Sequence, residues 1–87
     1  MVSFNKIMHD FGDVKLHQPL FAEFQYTGDS KITIGNIVTH CGCTSKSYDP
    51  ETNIVTLGLA NDEMGKRQST VSVGDVTLII KKNTVSI

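Results

Sequence analysis

The sequence of 87 residues lacks the features by which several functional classes are recognised. No stretch approaches the roughly 20 consecutive apolar residues that a membrane-spanning helix needs, and the start of the chain contains neither the apolar segment nor the cleavage site of a secretion signal. Basic residues are not in excess, because eight Lys and Arg stand against nine Asp and Glu. The sequence therefore predicts a soluble protein that binds neither membranes nor nucleic acids.

Apolar residues that favour helices are also scarce. There are two Ala and five Leu, against eight Val, eight Ile and nine Thr, and β-branched residues favour strands. A chain of this length has too few residues for a second hydrophobic core. We therefore expect a single domain over residues 1–87 with an all-β fold, a two-sheet antiparallel sandwich of about seven short strands.

Alternation of apolar and polar residues locates most of these strands. In the clearest case every second residue from Leu20 to Tyr26 is apolar, and Phe21 is the exception on the polar face. Gly35 and Asn36 interrupt the next segment and predict a bulge. Residues 61–66 predict a loop with at most one helical turn. The predicted strands cover residues 2–8, 20–26, 31–40, 54–60, 68–73, 75–82 and 85–87.

Reactive side chains are concentrated in one segment, His-Cys-Gly-Cys-Thr, which begins at His40. Thiolates and imidazoles bind soft or borderline metals, and a Cys-x-Cys pair can supply two ligands. Cys41, Cys43 and His40 are therefore candidate ligands for zinc or copper. A zinc site would need a further ligand, for which His9 and His17 are the remaining histidines, whereas Cu(I) needs only two or three soft ligands.

Two other interpretations of the cysteine pair stay open. Residues two apart on a strand have Cα atoms about 6.6 Å apart, the outer limit for a disulfide, but a bend at Gly42 would bring them within reach. A disulfide across so short a loop removes little entropy from the unfolded chain and would be more redox-active than structural. Alternatively, Cys41 and Cys43 are small apolar core residues, because free cysteine is usually buried.

No segment predicts an active site. Nucleophilic catalysis needs a base beside the nucleophile and a third group that orients the base. Neither His40 beside Cys41 nor His9 beside Asp10 completes such a set. The glycines are dispersed, so no phosphate-binding loop occurs. The sequence therefore predicts a protein that is not an enzyme and has no cofactor.

Four ordered motifs resemble the DUF1573 family. They are His-Asp-Phe-Gly from residue 9, Phe-Gln-Tyr-Thr-Gly from residue 24, Ile-Thr-Ile from residue 32 and Cys-Gly-Cys-Thr from residue 41. The resemblance covers residues 9–46 by motif and the remainder by strand pattern. Phe11 in the first motif is the expected core anchor. Tyr26 departs from the pattern, because the family usually has Asn before Thr-Gly, and a side chain that would cap the turn is missing.

The resemblance implies a fold and a role. The fold is an immunoglobulin-like β-sandwich related to ASPM-SPD2-Hydin and PapD-like domains, and the role is a non-enzymatic protein-interaction or structural accessory module. Its exposed strand edges would pair with a protein partner or with a second copy. Short forms without a leader resemble small proteins of tailed bacteriophages, so the cytoplasm or a virion is the expected location. The alternative function is a thiol-redox or copper- or zinc-binding module that uses Cys41 and Cys43.

Overall fold

Alternating apolar side chains form the interior between two β-sheets in the computed structural model, which describes residues 1–86. The strands are β1 (Met8–Lys15), β2 (Phe21–Gln25), β3 (Ile37–Thr39), β4 (Thr44–Asp49), β5 (Ile54–Leu59), β6 (Gly65–Val73) and β7 (Val76–Val85). One sheet has the order β1-β7-β6-β3 and the other β2-β5-β4. All neighbours are antiparallel except β1, which is parallel to β7. The predicted all-β sandwich of about seven strands is confirmed.

The hydrophobic core draws on both sheets, as the alternation predicts. Phe24 and Leu57 from the smaller sheet and Val71 and Ile80 from the larger one are fully buried. The buried apolar residues are Val14, Leu20, Ala22, Phe24, Tyr26, Ile32, Ile37, Val55, Leu57, Leu59, Val71, Val73, Leu78 and Ile80. These side chains supply the apolar burial that stabilises a chain of this size.

Two predicted strands in the first half of the chain are wrong in extent. Residues 2–8 form only a single bridge, from Phe4 to Tyr26, before β1 begins. In place of the predicted bulge there is a one-turn 3₁₀ helix, Ile34–Asn36. The Asn36 side chain accepts a hydrogen bond from the Thr33 N–H at 2.8 Å, which fixes this turn. The second predicted strand is therefore reduced to β3, and Ile34 is exposed.

The C-terminal half differs at Asn83, where the sequence predicts a break between two strands. The strand β7 runs through this position, because Asn83 pairs with Asp13 of β1 and donates a side-chain hydrogen bond to its carboxylate at 3.0 Å. Val85 therefore belongs to β7 instead of a separate strand over residues 85–87. Ile87 lies outside the described residues. The strand β4 has no counterpart among the predicted strands.

The His-Asp-Phe-Gly motif builds an irregular turn within β1. The Asp10 carboxylate accepts a hydrogen bond from the Gly12 N–H at 2.9 Å, and Gly12 has a φ of 69°, a conformation that glycine adopts without steric cost. The register with β7 shifts between Asp10 and Asp13. The result is a bulge that turns Phe11 towards the core, against which it is half-buried. The motif has a structural role here.

His9 packs beside this bulge and gives the protein a weak pH dependence. Burial, then the charge of Lys6, hold the pKa of His9 below its usual 6.5, although Asp10 acts in the opposite direction. The unfolded chain therefore takes up a proton at a higher pH than the folded chain, so the free energy of unfolding falls from pH 7 to pH 5. Because His9 is only half-buried and solvent screens its charge, the effect is a fraction of a kcal/mol. Urea unfolding of wild type and His9→Gln at both pH values tests this. An equal loss in the two proteins contradicts it.

Candidate functional site

The predicted partner would bind at a strand edge. Both edge strands of the larger sheet, β1 and β3, have features that disfavour the addition of a strand. A bulge and acidic side chains protect a sheet edge against pairing, and β1 has both, at Asp10 and Gly12. The opposite edge strand, β3, has only three residues. Very short edge strands offer too few backbone groups for stable pairing. Neither edge is a good site for an added strand.

Lys46 places an inward-pointing charge on the β4 edge of the smaller sheet. It pairs across the sheet with Leu57, which is fully buried, so the Lys46 side chain leaves the strand on the inner face. Its Nζ donates to the Ile34 carbonyl at 3.3 Å and to the Ile37 carbonyl. Inward-pointing charged side chains are a recognised protection of edge strands. Here the side chain ties β4 to the neighbouring segment of the other sheet.

The β2 edge is open along its first half. Leu59 donates its N–H to the Leu20 carbonyl at 3.0 Å, so Leu20 faces β5. Because backbone groups alternate along a strand, the N–H and C=O of Phe21 and Glu23 point away from β5. Neither residue has a hydrogen-bond partner at this edge within residues 1–86. Two consecutive outward pairs of donor and acceptor groups are thus available.

The second half of this edge is occupied by the start of the chain. Asn5 donates its N–H to the Gln25 carbonyl at 3.0 Å and accepts the Gln25 N–H on its side chain, also at 3.0 Å. Thr27 donates to the Ser3 carbonyl at 2.9 Å. The N-terminal segment therefore already lies beside β2 in an extended form. An added strand would continue along the same edge.

Phe21 forms an apolar surface at the open end of this edge. Its side chain is on the outer face of the sheet and the residue is 65% exposed. A Cβ at position 58 would lie 2.9 Å from the ring, so Gly58 allows the ring to approach the backbone of β5. A groove of about 420 Å³ adjoins the ring and is lined on its other side by Cys43 and Ser45. The sequence identified Phe21 as an exception on the polar face, and Gly58 within a strand was the signal that it did not use.

Cys41 and Cys43 are joined by a disulfide in the turn between β3 and β4. Their Cα atoms are 5.1 Å apart, closer than in a straight strand. The chain bends at Gly42, as the disulfide interpretation of the sequence requires. Cys41 is exposed, so it is not a core residue. Cys43 is half-buried against the core. The Cys43 N–H donates to Sγ of Cys41 at 3.2 Å.

The predicted metal ligands are not all directed to one point. Nε2 of His40 lies 2.6 Å from Oγ of Ser72 on β6, and the sulfur atoms of Cys41 and Cys43 are bonded to each other. In residues 1–86 no group of three or more His, Cys, Asp or Glu side chains is placed to hold a metal ion. The metal site formed by Cys41, Cys43 and His40 stays a prediction for the reduced protein.

Comparisons with known proteins give one match. The family model of a protein of unknown function, DUF1573, matches residues 2–74, which includes all four motifs and the strands through β6. No curated protein and no solved structure matches the chain. The immunoglobulin-like relationship therefore stays a prediction. Over residues 1–86, none of the helical structure has the length and apolar character to cross a membrane.

Proposed function

The chain belongs to the DUF1573 family, and we propose that it is a non-enzymatic module that binds an extended strand of a protein partner at the β2 edge. The observation that supports this function is the outward pair of backbone groups on Phe21 and Glu23, which has no partner within residues 1–86. The other three edges carry features that disfavour strand addition, which are the bulge in β1, the shortness of β3 and the inward-pointing charge of Lys46 on β4. A bacteriophage origin and a virion location stay predictions.

Main-chain hydrogen bonds supply the affinity in this mode of binding, and side chains on alternate positions supply the specificity. A strand added at β2 places one of its side chains on the outer face beside Phe21. The next outward position lies beside Glu23, the one charged residue of β2. The partner strand therefore carries an apolar residue and, two positions away, a basic residue.

Charge favours a different protein over a second copy as the partner. Two copies of β2 aligned antiparallel about Glu23 place two carboxylates opposite each other on the same face, and such like-charge pairs are destabilising. A basic residue in that position gives an opposite-charge pair instead. Self-association through this edge is therefore the less favourable arrangement, and light scattering after size exclusion measures it directly.

A display library of random linear peptides tests the proposal on the intact protein. We expect selected peptides to alternate apolar and basic residues and to protect the Phe21 and Glu23 amides from hydrogen exchange on binding. Glu23→Pro removes one outward N–H from an edge position where proline is tolerated, and we expect it to weaken binding at least about tenfold, the loss of one or two main-chain hydrogen bonds.

Glu23→Ala is the matched control, because it removes the carboxylate and keeps the N–H. We expect it to weaken the binding of basic peptides less than Glu23→Pro does. The melting temperatures of Glu23→Ala and Glu23→Pro should be similar. A screen that yields no binder, or peptides that bind Glu23→Pro as well as wild type, contradicts the β2 edge as the binding site. A stable dimer that Glu23→Pro dissociates shows that the partner is a second copy.

A further inference from the structure

The Cys41–Cys43 disulfide is placed where another thiol can reach it. It lies in a turn at the surface, and a Cβ added to the intervening Gly42 would meet no atom within 4 Å. Cys41 is exposed, whereas Cys43 is half-buried and lines the groove beside Phe21. The two sulfur atoms are therefore not equivalent, and an incoming thiolate meets Cys41 first.

This disulfide contributes little to the stability of the fold. The stabilisation that a disulfide gives through the unfolded chain grows with the length of the loop that it closes, and here the cysteines are only two residues apart. The strands on both sides are fixed independently, β3 by its pairing with β6 and β4 by its pairing with β5. The fold can therefore hold either the disulfide or the dithiol.

We propose that Cys41 and Cys43 form a thiol–disulfide exchange site for protein dithiols, with Cys41 as the sulfur that forms the mixed disulfide. A substrate thiolate attacks Sγ of Cys41, a new S–S bond forms, the Cys41–Cys43 bond breaks, and its electron pair leaves on Sγ of Cys43, which takes a proton from water. The second substrate thiolate then attacks the substrate sulfur and releases Cys41. The substrate is oxidised from two thiols to a disulfide, and the protein is reduced to two thiols.

Hydrogen-bond donors next to each sulfur can stabilise the negative charge that these steps create on it. Oγ1 of Thr44 lies 3.7 Å from Sγ of Cys43, within the range of a hydroxyl–sulfur hydrogen bond, and its hydroxyl can donate to the thiolate that leaves first. The Cys43 N–H is 3.2 Å from Sγ of Cys41 and can donate to the thiolate released second. The Cys43 N–H is fixed by the backbone of the turn, and the Thr44 hydroxyl is held at 2.5 Å by Oγ of Ser69, which can donate to it.

The first test uses the oxidised wild-type protein and a reduced peptide that contains two cysteines. We expect the peptide to form its disulfide at least about tenfold faster than with glutathione disulfide at the same concentration, because Cys41 is exposed and exposed disulfides are the labile ones. Alkylation followed by intact mass measurement counts the thiols that appear on the protein. One peptide disulfide should form for each protein disulfide lost.

The second test separates the two sulfurs in the single-cysteine variants. With glutathione disulfide as the probe, Cys43→Ser should form a mixed disulfide on Cys41 at least about tenfold faster than Cys41→Ser forms one on Cys43, because exposure of the thiol sets access. Circular dichroism melting of both variants reports whether the fold is retained. Glu23→Pro should exchange with glutathione at the wild-type rate, which separates this site from the proposed β2 edge.

Three results overturn the proposal. The first is equal reactivity of the two variants, and the second is oxidation of the peptide no faster than by glutathione disulfide. The third is a reduced protein that stays in the dithiol form with glutathione disulfide but takes up Cu(I) or Zn(II) in native mass spectrometry. That third result favours the metal site of Cys41, Cys43 and His40 instead.

Discussion

Replacing Phe24 by Ala is expected to lower the free energy of unfolding by about 4 kcal/mol, because a buried aromatic ring is lost and the cavity cannot fully collapse. Phe24 is on the inner face of β2 and has no exposed surface. The Lys6 Nζ lies 5.3 Å from the centre of its ring, so a cation–π contact is lost as well. Native proteins are stable by roughly 5–15 kcal/mol, and the variant should therefore unfold at a much lower urea concentration, measured by circular dichroism at pH 7.

Phe21→Ala is the matched control on the same strand. Its ring lies on the outer face and is mostly exposed, so we expect a loss below about 1 kcal/mol. The same variant should weaken the binding of the peptides selected at the β2 edge, because it removes the apolar surface beside the added strand. Equal destabilisation by the two substitutions contradicts the assignment of their faces, and unchanged peptide binding by Phe21→Ala contradicts a role for the Phe21 ring in binding.

The contrast between Phe24 and Phe21 also shows what sequence could predict about this fold. Strands in which apolar and polar residues alternate were located within about two residues at each end, as β2 and β5 show. Their inner residues are buried because one face of each sheet packs on the core. The same alternation identified Phe21 as an exposed aromatic residue, which became part of the candidate site.

Two strands were missed because no local pattern marks them. The inner positions of β4 include Lys46, whose side chain is satisfied by the carbonyls of Ile34 and Ile37 in another part of the chain. In β1, Asp10 and Gly12 have the composition of a turn, and this strand exists because it pairs with β7 from the far end of the sequence. Long-range pairing of this kind leaves no period in the sequence.

The cysteine segment was identified from sequence, but its state was not. In a straight strand the Cα atoms of Cys41 and Cys43 would be at the outer limit for a disulfide. Whether the two sulfur atoms are bonded therefore depends on the bend at Gly42, which the sequence permits but does not specify. Likewise, a residue count cannot show which sheet edge is open. That property depends on which backbone groups of β2 face β5, and a shift by one residue would reverse it.

A second large effect is expected at Asn61, a residue that the sequence predicts to lie in a loop. It is only 7% exposed, and its Nδ2 donates to the Lys15 carbonyl at 2.6 Å and to the Gln18 carbonyl at 3.0 Å. Its Oδ1 accepts a hydrogen bond from the Thr84 hydroxyl, which itself accepts one from the buried Lys82 Nζ at 2.6 Å. One side chain therefore joins the connection between β1 and β2 to β7.

Asn61→Ala removes three hydrogen bonds at once and leaves two carbonyls and a hydroxyl without this partner. A buried polar group without a partner costs about 1–3 kcal/mol, and water that enters the space offsets part of that cost, so we expect a total loss of about 3 kcal/mol in urea unfolding. Asn83→Ala, whose partner is the exposed Asp13, should lose less than about 1 kcal/mol. Asn61→Asp distinguishes hydrogen bonding from packing, because it keeps the size of the side chain and turns a carboxylate towards two carbonyl oxygens. If Asn61→Asp is as stable as wild type, the hydrogen bonds of Asn61 do not hold this end of the sandwich.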